Sequence, residues 1–396
     1  MRILFANDGV ADAGGVQTYL EAVMSGLAAR GHELSFLHCE RDANKTISRE
    51  LAALPHFSVE TGGLESVIDE IKLWSPDVCF SHNMSRLDVE RRLLEELPVV
   101  KFMHGYFGTC IGGQKSLFFP KPEPCHRRFG KACLALYLPR RCGQLNLGKM
   151  LEGYEWARKQ NALFRDYRAI VVASEHMKRE YVFNGADASK VFVNTLFSVH
   201  AFSDEEMLSE PAAHRVLFLG RMTKLKGGDI LIRAVAEAAR RLKIEISLTM
   251  AGDGPQRAAW ERLASQLKVK ASFPGWVTGE EHARLFKEAS LLAVPSIWPE
   301  PFGLVGLEAA SFGLPAIAFD VGGISEWLRD GVNGYLVKRR APNWTALAEG
   351  LVKVLGQPEH LASMRRAARK AALELSLGKH LDRLEEIFDS VRAGRV

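Results

Sequence analysis

Short apolar runs, each followed by a turn and then a helical pattern, recur along the whole 396-residue chain. In the first half they are residues 2–7 (RILFAN), 33–38 (ELSFLH), 77–81 (DVCFS), 99–103 (VVKFM), 168–173 (RAIVVA) and 190–193. In the second half they are 216–219 (VLFL), 244–250 (IEISLTM), 271–273, 291–294 (LLAV) and 315–319 (PAIAF). Runs of this kind belong to strands buried on both faces, and helices between them imply parallel sheets with helices on either side. Residues 15–30 carry Tyr19, Leu20, Val23 and Leu27 on one helical stripe, and 228–242 and 255–267 also read as helices. The chain is longer than one hydrophobic core usually organises, which predicts two α/β domains. The polar stretch 202–214 is the expected linker. This predicts domains at 1–205 and 206–375, then a helix within 376–396 through Leu381, Leu384, Ile387 and Phe388. Periodicity alone allows that helix to cap either domain. Ligands of such sheets bind at the carboxyl ends of the strands, so the loops there are where chemistry is expected.

Charge narrows the partners. Lys and Arg number 52 against 47 acidic residues, an excess too small to imply nucleic acid. The basic run 364–370 (MRRAARK) reads as a solvated helix face. The opening MRILFA starts a strand rather than a leader or membrane span, so a cytoplasmic location is expected.

Four loops carry candidate chemistry. After VLFL comes GRMTKLKGG, in which glycines permit close backbone approach and Arg221 and Lys226 supply positive charge before a helix start. That suits a diphosphate, although a surface turn with ordinary basic residues has the same composition. The loop lacks the Gly-Lys-Ser/Thr of a nucleotide-triphosphate P-loop. Gly14-Gly15 in the first loop can also approach a phosphate, but the spacing is not GxGxxG and disfavours NAD. Ala251-Gly252-Asp253-Gly254-Pro255 reads as a tight strand-to-helix turn in which Asp253 has no direct catalytic role. The fourth loop, PSIWPEPFGLVGLEA from Pro295, holds Glu300 and then Glu308 inside an apolar helix. A carboxylate among Leu307, Ala309 and Ala310 needs polar partners, and a sugar diol can donate to it twice. Helix-cap or surface glutamates are the alternative.

Taken in order, these motifs resemble the retaining glycosyltransferases of the GT-B fold, in the group containing bacterial mannosyl-, glucosyl- and N-acetylglucosaminyltransferases. The resemblance rests on Gly14-Gly15, Gly220-Arg221 with Lys226-Gly227, the Gly252-Asp253-Gly254-Pro255 turn, and Glu300 with Glu308. Pro315 in GLPAIAFDVGG, Glu326 and Asn333-Gly334 extend it. It is densest over about 216–337. It implies two Rossmann-like domains facing across a cleft, with the terminal helix packing back on the first. It further implies that Arg221 and Lys226 neutralise a donor diphosphate, with Glu300 on the donor sugar beside the Phe302, Gly303 and Leu304 backbone. Glu308 would then bind the nucleotide ribose, and His104 would face the sugar and the reaction centre. The catalytic set is therefore His104, Glu300, Arg221 and Lys226. The expected reaction moves a hexose-type sugar from a UDP- or GDP-sugar to an acceptor hydroxyl of a small molecule, glycan or lipid-linked acceptor. Other readings are a nucleotide-sugar epimerase or sugar phosphorylase of the same fold, or a non-catalytic carbohydrate-binding protein. No further cofactor is expected, and no Asp-x-Asp metal motif occupies these loops. The sequence departs from the family pattern at Gly105, where many relatives have Asp, and at 192–196 (FVNTL), where a Pro-Asn-Gly turn is common.

The segment of about 105–150 reads as an irregular insertion containing Cys110, Cys125, Cys133 and Cys142, four of the six cysteines. Free thiols, a structural zinc site or disulfides are all compatible with its spacing, which contains no C-x2-C pair. Its aromatic and basic residues, Phe118, Phe119, Arg127 and Arg128 among them, suit contact with a lipid-linked acceptor or the inner face of the membrane.

Overall fold

The computed structural model describes residues 1–9, 15–39, 54–198, 214–338 and 342–395. Gly14 and most of the expected linker lie outside these residues. The chain divides into two compact units: Met1–Gln114, Arg127–Val199 and Leu377–Val396 form the first, Lys115–His126 and His200–Ser376 the second.

The strands of the first unit are β1 (Arg2–Ala6), β2 (Glu33–His38), β3 (His56–Ser58), β4 (Val78–Ser81) and β5 (Val99–Met103). A separate hairpin in the insertion, within the Lys115–His126 stretch that groups with the second unit, supplies β6 (Ser116–Leu117) and β7 (Glu123–Pro124). The first unit's sheet is completed by β8 (Ala169–Val172) and β9 (Val191–Val193). Its order is β3-β2-β1-β4-β5-β8-β9, with every pairing parallel. Strand order reverses between β1 and β4, the place where such sheets open a crevice. The insertion is more regular than its composition suggests. Besides the hairpin it contains the helix Ala132–Tyr137, and the helix Leu147–Ala162 follows, capped by Asn146, whose side chain accepts from the Lys149 N–H.

The second unit contains β10 (Arg215–Leu219), β11 (Ser247–Ala251), β12 (Lys270–Gly275), β13 (Leu291–Val294), β14 (Ala316–Phe319) and β15 (Gly334–Val337). Their order is β12-β11-β10-β13-β14-β15, again all parallel, with the reversal between β10 and β13. The helix Gly228–Leu242 buries Leu231, Ile232, Ala234, Val235 and Ala238, the i, i+3/i+4 stripe of an amphipathic helix. These join Leu347, Leu351 and Val354 in one core.

The terminal helix Leu377–Arg392 buries Leu381, Leu384, Ile387 and Phe388 and belongs to the first unit. Phe388 meets Phe80 edge to face at 5.1 Å. His380 Nδ1 bonds the Thr195 carbonyl at 2.8 Å, and its Nε2 lies 2.9 Å from the Tyr19 hydroxyl. Arg30 and His32 hold Glu385 at 2.6 and 2.7 Å.

Two sequence expectations shift. The strand expected at 244–250 begins at Ser247, because Lys243 takes a left-handed conformation and the Ile244 N–H bonds Ala239 to close the preceding helix. The basic run 364–370 is only partly solvated: Arg366 and Lys370 are exposed, but Arg369 is buried in the helix Pro358–Glu374.

Candidate active site

In the second unit the loops after β10 and β13 meet at the strand-order reversal. The loop after β10 makes one turn of 3₁₀ helix at Lys224–Lys226, and Gly227 then adopts φ 68°. Only glycine fits there, because a side chain would collide with the Pro295 carbonyl. This close approach lets the Ile297 N–H bond the Leu225 carbonyl at 2.9 Å, tying the two loops together. Lys226 Nζ consequently reaches Glu300 Oε1 at 2.7 Å and lies 5.3 Å from the Trp298 ring centre. The Ser296 hydroxyl donates to the same carboxylate oxygen at 2.6 Å. The Glu300 backbone is clamped as well: Gly323 N–H donates to its carbonyl at 2.7 Å, and Gly322 leaves no room for a side chain beside it.

Glu300 is therefore a buried carboxylate already held by a cation and a hydroxyl, whereas the Arg221 residue is exposed and its guanidinium has no hydrogen bond or ion pair among the described residues. Lys224 is exposed. The Gly252–Gly254 turn packs against the same loop, with Met222 N–H donating to the Asp253 carbonyl at 2.7 Å. Asp253 itself caps this turn through the Gly254 N–H and faces Arg257 at 3.5 Å.

Gly303, at φ 85°, opens the helix Leu304–Ser311. Phe302 is buried, and its carbonyl accepts from Trp327 Nε1 at 2.8 Å. Glu308 lies within that helix with its carboxyl 3.9 Å from His282 Nε2. Burial pushes its pKa up to about 7. Its partner His282, on the helix Gly279–Glu288, has no motif of its own and was not foreseen.

His104 belongs to the first unit, just past β5. Its Nε2 lies 3.0 Å from His82 Nδ1, and its ring packs on Phe102 and edge-on to Tyr19. Burial, with Lys101 and His380 adding to it, lowers its pKa to about 3. Burial also lowers His82, so both rings are neutral at neutral pH. Gly15 opens the first helix, Gly15–Ala29. Below His104, Lys101 on β5 meets Glu90 at 3.0 Å with both side chains buried. Ser81 and Tyr167 bond the same carboxylate, and Gln160 donates to the Tyr167 hydroxyl. No motif announced this network. None of the six cysteines is in a disulfide, and among the described residues no three His, Cys, Asp or Glu side chains gather as metal ligands. Phe119, Arg127 and Arg128 in the insertion are exposed.

Two parallel-sheet Rossmann-like units give the chain the GT-B fold. Residues 203–371 match the family model for glycosyl transferases group 1. An uncharacterised glycosyltransferase of Methanocaldococcus jannaschii is 36% identical over 165 residues, 41% of this chain and 39% of that protein. A D-inositol 3-phosphate glycosyltransferase of Nocardia farcinica is 38% identical over 163 residues, 39% of this chain and 35% of that protein. The matches thus span less than half the length of either relative. Among solved structures, Anabaena HepE in complex with UDP and glucose superposes with a TM-score of 0.69 at 18% identity, covering 98% of this chain and 100% of that one. Sucrose-phosphate synthase from Thermosynechococcus elongatus gives 0.69 at 18% identity, covering 99% of both. No helix among the described residues is long and apolar enough to cross a membrane.

Proposed function

We propose that this protein transfers a hexose from a UDP-sugar to an acceptor hydroxyl with retention of anomeric configuration. The observation that carries the proposal is the joined pair Lys226–Glu300 at the strand reversal, beside the unpaired Arg221. Arg221 and Lys226 bind the donor diphosphate, Glu300 holds sugar hydroxyls, and Glu308 accepts from the ribose diol. The first turn of the helix Leu304–Ser311 offers N–H groups to the same ligand. UDP is favoured over GDP because HepE, of the same fold, binds UDP.

In the reaction the bond between the anomeric carbon and the diphosphate oxygen breaks. The acceptor oxygen bonds to that carbon on the same face, and its proton passes to the departing diphosphate. Arg221 and Lys226 stabilise the charge that develops there. Glu300 is engaged by Lys226 and Ser296, which suits hydroxyl binding rather than the nucleophilic attack of retaining glycosidases. His104, held neutral, serves as a hydrogen-bonding partner rather than a cation.

A screen of UDP- and GDP-sugars against hydroxyl acceptors, reading released nucleoside diphosphate and product mass, tests the proposal. Conversion of the donor without any acceptor would identify an epimerase instead.

Glu308 gives a sharper prediction. Its folded-state pKa is raised to about 7 from an ordinary 4.5, so the stability contributed by the neutral form is present at low pH and lost as pH rises through 7. The ribose diol needs the ionised form. Affinity for UDP is therefore expected to rise through pH 7, and Glu308→Gln should weaken binding by roughly tenfold and flatten that rise. Calorimetric titration checks this; an identical pH dependence in both proteins would remove Glu308 from the ribose site.

A further inference from the structure

His104 has a partner of its own kind. The parallel register of β4 and β5 sets Ser81 beside Lys101, so the two strands run out at the same end of the sheet. The residue after β4 is His82, and the residue after β5 is His104. His82 is held firmly. Its backbone N–H donates to the Ala6 carbonyl on β1 at 2.8 Å. Its ring stacks on Phe5 and Phe102 at 5.9 and 6.0 Å and meets Phe80 edge-on at 4.3 Å. His82 is 1% exposed, whereas His104 is only partly buried.

The rings meet through His82 Nδ1 and His104 Nε2, 3.0 Å apart. Burial keeps both neutral. Two neutral imidazoles share such a contact only if one donates and the other accepts, so their tautomers are linked. If His82 Nδ1–H donates, His82 Nε2 is bare and the proton of His104 sits on Nδ1. If His104 Nε2–H donates, His82 carries its proton on Nε2 and His104 Nδ1 is bare. His82 Nε2 separates the two cases. It is buried with no hydrogen-bond partner, on a ring set among Phe5, Phe80 and Phe102. A buried N–H without an acceptor is rarer in native proteins than an under-satisfied acceptor.

We infer that His82 is the positioning residue of His104, donating through Nδ1–H to His104 Nε2 and so fixing His104 as the tautomer protonated on Nδ1. The one ring nitrogen of His104 that His82 leaves to a substrate is then a permanent donor. The use of that donor rests on the transferase reading above. There, His104 Nδ1–H bonds a sugar oxygen, and His104 is no general base, because its basic nitrogen is occupied by His82. The acceptor proton then has to leave by the diphosphate.

The test begins with the unliganded full chain, labelled with 15N-histidine. Long-range 15N–1H correlation reads each ring's tautomer, with signals assigned by replacing His82 or His104 singly. Both rings are expected to be protonated on Nδ1. His82→Asn keeps an N–H near the place of Nδ1 and should preserve the His104 tautomer and most of the turnover. His82→Leu removes that donor. It should mix the His104 tautomers and lower kcat about tenfold or more with little change in donor KM, as for a bond used in the transition state. Circular dichroism reports whether each variant is folded, and the wild-type spectrum decides the tautomer even if neither is. His104 protonated on Nε2 in the wild type would overturn the inference. So would folded Asn and Leu variants with the same tautomer and the same kcat. Failure of the transferase reading shows separately, as absence of nucleoside diphosphate release by the wild type in the donor screen, and leaves the tautomer measurement standing.

Discussion

Replacing Arg221 and Lys226 together by alanine is expected to lower turnover by about 10³-fold or more, with donor affinity falling as well. The estimate follows from what one preorganised donor to developing negative charge is worth, roughly 10²–10³ in kcat. Two cations aimed at one leaving group should exceed that, although their effects will not add independently. The Lys226 part has a second cause. Lys226 is the cation that balances buried Glu300, and its removal leaves that carboxylate with Ser296 alone. Lys226→Ala should therefore lose more than Arg221→Ala, and should disturb sugar selection as well as rate. Steady-state kinetics with a fixed donor and acceptor check this. Near-normal turnover in the double variant would exclude the diphosphate role.

The second large effect concerns stability. Lys101→Met is expected to destabilise the first unit by about 3–5 kcal/mol, because it strands the Glu90 carboxylate in the core without its cation. Glu90 is 0% exposed and Lys101 3%. In a unit of this size the loss should appear as a fall of roughly 6–20 °C in thermal midpoint. Tyr167 and Ser81 still donate to Glu90 in the variant, which sets the fall toward the lower end of that range. The double variant Glu90→Leu, Lys101→Met should recover most of the loss, since a buried pair replaced by apolar groups of similar volume is often neutral. Scanning calorimetry of both variants decides it. A fall in Lys101→Met that the double variant does not recover would show that shape, not charge, holds this region.

The sequence carried much of this architecture at low resolution and some of it at full resolution. The strands Glu33–His38, Val99–Met103 and Leu291–Val294 and the helix Gly228–Leu242 have the bounds their apolar patterns indicate. In each case burial on both faces, or on one helical stripe, is written directly in consecutive residues. The three-residue edge strand His56–Ser58 pairs only with β2 and is too short to carry a period. The helices Leu64–Trp74 and Leu87–Glu96 also went unread. Glu90, buried on the second of these, looks like an ordinary surface glutamate until Lys101 is placed beside it.

What the sequence determined by itself is the kind of wall the second unit builds. Glycines at 227 and 303, a basic residue before a helix start, and two glutamates around an apolar turn are local chemistry, and local chemistry is legible in order. Only the tertiary structure decided that Lys226 and Glu300 neutralise one another across two loops. The same holds for His104 being kept neutral beside His82. Those facts join residues tens of positions apart, and they depend on which strands are neighbours in the sheet. No spacing along the chain encodes that adjacency, because it is set by packing the whole domain.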